Sequence, residues 1–122
     1  MSKRLIVIAA SMLLAAGCGQ SSSPTYSSPA PTAGSSSVSI VSGSRTLTTN
    51  AYNPNPIAIS SGMTVTWMNN DSIAHTSTSS SGAWDSGTIA PGAKFSRTFT
   101  SRGTFQYHCS IHPNMVGTVT VQ

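Results

Sequence analysis

Alternating segments, dense β-branched residues and frequent turn signals mark residues 38–122, and no stretch there keeps a helical period. In Met63-Thr64-Val65-Thr66-Trp67-Met68, Val65 and Trp67 share a face. In Thr104-Phe105-Gln106-Tyr107-His108-Cys109, the shared face carries Phe105, Tyr107 and Cys109. The last segment, Gly117-Thr118-Val119-Thr120-Val121, puts Val119 and Val121 on one side. Successive side chains on a strand point to opposite faces, so each segment has one apolar side to bury. Asn53-Pro54-Asn55-Pro56, Ser61-Gly62, Pro91-Gly92 and Arg102-Gly103 supply the turns between them. The expected fold class is all-β, with two packed sheets. One segment fits poorly: Phe95, Arg97 and Phe99 fall on one face, so Arg97 must snorkel at an edge or a bulge must shift the register.

The chain of 122 residues is long enough for one modest domain. Residues 1–17 have another character. Lys3 and Arg4 precede an apolar run from Leu5 to Ala16, too short to span a bilayer, which takes about 20 residues. A basic start, a short apolar run and small residues before a cut describe a secretory signal peptide. Leu14-Ala15-Ala16-Gly17-Cys18 resembles a bacterial lipobox, with Ala15 where Leu is commonest. The resemblance implies cleavage before Cys18, lipidation of that cysteine, and a protein exported and held on a bacterial membrane, facing the periplasm or the cell exterior. The Ser, Pro, Thr and Ala that follow, in residues 18–37, contain almost no large apolar side chains and read as a disordered tether. The folded domain is expected over residues 38–122.

Composition excludes several roles. Charged residues make up 7% of the chain. Beyond Arg4, four cations (Arg45, Lys94, Arg97, Arg102) face two acids (Asp71, Asp85), and no basic cluster supports nucleic-acid binding. Cys18 and Cys109 could form a disulfide, but each sits in a context of its own.

The chemistry concentrates in Cys109-Ser110-Ile111-His112-Pro113-Asn114-Met115, a C-x2-H-x2-M run on the connection between two alternating strands. A tight loop turns these three side chains towards one point. His75, far upstream in a polar loop, meets that point if the two loops share an end of the sandwich. One thiolate, two imidazoles and one thioether are soft to intermediate donors and suit copper in both oxidation states. Zinc prefers more thiolates or an open position with water. His2Cys with a weak axial Met is a type 1 arrangement, and four protein donors leave no position for substrate. His108 neighbours Cys109, faces the other way along the strand, and is read as a non-ligand.

The chain resembles a cupredoxin of the plastocyanin–amicyanin group. Pro56-Ile57, Val65-Thr66-Trp67-x-Asn69, Asp71, His75-Thr76, Gly87, Pro91-Gly92, Phe105-x-Tyr107-x-Cys109 and Gly117-Thr118-Val119 carry the likeness. The two residues between His112 and Met115 are more similar to amicyanin. The resemblance implies a Greek-key β-sandwich of about eight strands and one copper per chain. His75 and His112 would bind through ring nitrogens, Cys109 as thiolate and Met115 as the long axial ligand. Thr76 would give its backbone N–H to the Cys109 sulfur, although amicyanins often have Asn there. Function is then expected to be electron transfer between redox protein partners by a monomer that is not an enzyme. The alternative is a copper-binding module for storage or delivery, or an accessory to a respiratory complex. With three histidines, no His-x-His pair and no second cysteine near Cys109, the ligands for multicopper oxidase or binuclear chemistry are missing.

Overall fold

The computed structural model describes residues 34–122. The signal peptide, Cys18 and nearly all of the tether lie outside the described residues. Eight strands follow in order: β1 (Ser35–Ile40), β2 (Tyr52–Asn53), β3 (Ile57–Ile59), β4 (Thr64–Asn69), β5 (Thr78–Ser79), β6 (Lys94–Thr98), β7 (Gly103–His108) and β8 (Val116–Val121). They form two four-stranded sheets, ordered β2-β1-β4-β6 and β3-β8-β7-β5. Each sheet is mixed. β1 runs parallel to β4, and β3 parallel to β8, while β4–β6 and β7–β8 are antiparallel. The all-β sandwich expected from the alternation is the observed fold. The only helical piece among the described residues is the 3-10 turn Ser44–Thr46.

The first strand begins inside the stretch that composition assigned to the tether. Ser35, Ser36 and Ser37 pair with Thr64, Val65 and Thr66 of β4. Their side chains bury little, and the ladder with β4 holds them in place, which is a tertiary effect that local composition does not carry.

Alternation sets the core as expected. Val65 and Trp67 of β4 are buried, and so are Tyr107, Val119 and Val121 across the sandwich. Trp67 is the centre of an aromatic cluster. Its ring lies 5.4 Å from Tyr107, 5.8 Å from Phe95 and 5.9 Å from Trp84. Trp84 reaches in from a loop and donates its indole N–H to Ser77 Oγ at 3.1 Å. Arg97 does not force a bulge, since β4 and β6 stay in register from Thr64↔Thr98 to Met68↔Lys94. Its guanidinium lies over the rings of Trp84 and Phe99, at 5.2 and 5.5 Å. On this edge strand the aliphatic stem covers apolar surface and the cation rests on π faces.

Tyr107 pairs with Gly117 across β7 and β8. A Cβ at Gly117 would overlap the Tyr107 ring, so the glycine is the space in which the tyrosine sits. Gly117→Ala should cost about 1–3 kcal/mol through overpacking. Chemical denaturation of the two proteins measures this, and an unchanged midpoint would show that the ring is not seated there.

Candidate metal centre

β7 ends at His108 and β8 begins at Val116, so residues 109–115 must reverse the chain in seven positions. Two backbone bonds close the bend: Met115 N–H to His112 O at 2.9 Å, and Cys109 N–H to Met115 O at 3.1 Å. Cys109 and Met115 are fully buried, whereas His112 is half-buried at the rim. Among the described residues Cys109 is a free thiol.

His75 comes from the connection after β4. It exchanges both backbone bonds with Ile89, which fixes its Cα against the sandwich. Its fully buried ring points Nδ1 at Cys109 Sγ, 3.8 Å away. His112 Nδ1 is also 3.8 Å from that sulfur. One donor atom from each of the three residues lies within 4.8 Å of the others. A metal with bonds of about 2.3 Å to sulfur and about 2.0 Å to nitrogen, at trigonal angles, needs S···N separations of about 3.7 Å. The observed pair of distances fits that requirement. The structure thus brings His75, Cys109 and His112 together, with Met115 buried at the end of the same loop. His108 stays apart, its Nδ1 facing Ser80 Oγ at 3.4 Å.

Thr76 lies where expected, with its backbone N–H 3.3 Å from Cys109 Sγ. Its side chain does more than the sequence suggested. Thr76 Oγ1 accepts the backbone N–H of Ser110 at 2.8 Å, and the Tyr52 hydroxyl donates to Thr76 O at 2.7 Å. The two loops are therefore stitched together by a single threonine.

Sequence reasoning missed the groups behind His75. His75 Nε2 lies 2.8 Å from Asp71 Oδ2 and 3.0 Å from Ser44 Oγ. Ser44 donates to the same carboxylate oxygen at 3.1 Å, and Oδ1 accepts the backbone N–H groups of Gly43 (3.0 Å) and Ser72 (2.8 Å). The Asp71-x3-His75 spacing was the available signal; nothing local in the sequence points to Ser44. Burial raises the proton affinity of the Asp71 carboxyl. The hydrogen bonds from Gly43, His75, Ser72 and Ser44 outweigh it and hold the group well below the ordinary 3.8.

A depressed carboxyl stabilises the fold fully above the unfolded value of 3.8, and that contribution is lost as pH falls below it. The metal-free protein should lose stability as pH falls through 3.8 and below, and Asp71→Asn should flatten this slope. Thermal melts across pH provide the comparison; equal slopes would remove Asp71 from the account.

Comparison with known proteins agrees with the geometry. Residues 38–122 match the family model of copper binding proteins, plastocyanin/azurin family. The chain is 33% identical over 84 residues to plastocyanin from Scenedesmus fuscus, covering 58% of this chain and 86% of that protein. It is 34% identical over 76 residues to amicyanin from Paracoccus denitrificans, covering 58% of each. The solved structure of a purple cupredoxin from Nitrosopumilus maritimus superposes with a TM-score of 0.66 at 34% identity, covering 71% of this chain and 99% of that one. A Cu(I) form of an amicyanin variant superposes with a TM-score of 0.62 at 28% identity, covering 73% and 83%. The sandwich, the converging sulfur and nitrogens, and these matches place the chain in the plastocyanin/azurin family of copper-binding proteins, the cupredoxins.

Proposed function

We propose that this protein is a membrane-anchored type 1 copper electron carrier, in which His75, Cys109, His112 and Met115 would hold the copper. The observation that carries this reading is the equal 3.8 Å approach of two imidazole nitrogens to one buried cysteine sulfur. The soft donor set favours copper over zinc. Copper bound there supplies a one-electron couple, Cu(I)/Cu(II). The protein's part is to hold the donors still. His75, Cys109 and Met115 are fully buried, and their loops are tied by backbone hydrogen bonds. Such a site excludes water and resists rearrangement when the charge changes. Thr76 N–H stabilises the negative sulfur and so tunes the couple. With four protein donors there is no open position for substrate, which favours a carrier over an enzyme.

Electrons pass through His112, whose half-buried ring sits at the rim. Ile111, 49% exposed, and the exposed Pro113 flank it. This small apolar collar suits brief docking by redox protein partners. The chain is read as a monomer. Export and the lipid anchor on Cys18 rest on the first 18 residues, and place the domain on the periplasmic or outer side of a bacterial membrane. The storage or delivery reading differs in requiring no reversible redox cycle.

The copper-loaded protein should show an intense thiolate-to-copper band in the visible that a mild reductant bleaches and an oxidant restores. Cys109→Ser should abolish the band. A band that survives the substitution would refute the thiolate assignment, and a centre that cannot be cycled would favour storage. The mature full-length protein should partition into a detergent phase, and Cys18→Ser should move it to the aqueous phase. Detergent partitioning that persists in the variant would rule out the anchor.

A further inference from the structure

Behind His75, on the side away from Cys109, lies a small polar cluster. Ser44 is fully buried and Asp71 nearly so. They come from segments 27 residues apart, and each touches His75 Nε2. The turn that bears Ser44 is itself fastened: Asn114, on the ligand loop, donates to Arg45 O at 3.2 Å and Leu47 O at 3.0 Å. Asp71 is fastened as well, since its backbone N–H bonds Asn69 Oδ1, and the Asn69 amide in turn donates to Ile73 O and Ile89 O.

The arrangement of protons follows from the donors. The Asp71 carboxylate accepts Gly43 N–H and Ser72 N–H on Oδ1 and the Ser44 hydroxyl on Oδ2. A carboxylate supplied with three donors is ionised. An imidazole nitrogen 2.8 Å from an ionised oxygen must carry a proton, because two lone pairs would repel. Nε2 therefore bears the hydrogen and Nδ1 presents its lone pair to the sulfur side.

We infer that Asp71, held by Ser44 and Gly43, is a positioning residue that locks His75 with Nδ1 as the donor and sets a buried negative charge behind that ligand, biasing the site towards the oxidised metal. The inference rests on the copper reading given above. Cu(II) carries one positive charge more than Cu(I), so a fixed anion one imidazole away stabilises it more. The carboxylate also makes the ring a stronger donor and leaves it no freedom to flip. Ser44 adds the hydroxyl that holds the carboxylate oxygen in line with the ring.

Two measurements on the full chain test this. In the metal-free protein, nitrogen NMR should show His75 with a proton on Nε2 and a bare Nδ1. A proton on Nδ1 instead would overturn the clamp, and this readout does not depend on copper. In the copper-loaded protein, Asp71→Asn keeps a hydrogen-bond acceptor for Nε2 and deletes the charge. It should lower the preference for Cu(II) over Cu(I) about tenfold, an upward shift of about 59 mV in reduction potential. Ser44→Ala keeps the charge and should shift the potential in the same direction by less. An unchanged potential in Asp71→Asn with the visible band intact would overturn the electrostatic role. If Asp71→Asn does not fold, a Ser44→Ala protein with wild-type potential and mobile tautomers would do the same. Absence of the visible band in the wild-type chain would instead sink the copper reading, and the NMR result would still decide the clamp.

Discussion

Thr76 joins two loops that are 33 residues apart in the chain, and the metal centre exists only where they meet. Its backbone N–H reaches Cys109 Sγ, its hydroxyl takes the next backbone N–H along the ligand loop, and its carbonyl is held by Tyr52. Three bonds at one residue set how far His75 stands from Cys109. Ordering two loops independently would cost conformational entropy twice; here one junction orders both. The 3.8 Å spacing between Cys109 Sγ and His75 Nδ1 is the consequence.

The junction is firm because the core behind it is firm. Tyr107 lies two residues before Cys109, packs edge-on against Tyr52 at 4.8 Å, and touches Trp67 on its other side. Tyr52 then holds Thr76. The aromatic cluster thus reaches the sulfur along the strand and reaches the Thr76 carbonyl through a side chain. Close-packed interiors transmit displacement rather than absorb it, so the donor atoms inherit the stiffness of the rings. An electron carrier needs this property, since any relaxation of the ligands on charge change adds to its barrier.

Charge is sparse and placed with consequence. Of the chain's two acids, one is buried behind His75 and the other, Asp85, is on the surface. Ile111 and Pro113, on either side of His112 in the ligand loop, are exposed. Asp71, which in the sequence carried only part of the family likeness, is the acid that faces His75.

Local features of the chain determined the strands and the ligand loop. A two-residue period is a property of neighbours, so the inward positions of Val65, Trp67, Tyr107, Val119 and Val121 could be read directly. The Cys109, His112 and Met115 spacing likewise lies within one short connection, and the family likeness supplied His75 and Thr76. Other features required the folded chain. Ser35–Ser37 became strand through pairing with β4, Arg97 settled on Trp84 and Phe99, and Thr76 used its hydroxyl to pin Ser110. Ser44 and Asp71 met at His75 from the connections that follow β1 and β4, neighbouring parallel strands of one sheet. Each of these depends on residues brought together from distant parts of the sequence, and no periodicity or spacing along the chain records which distant groups will touch.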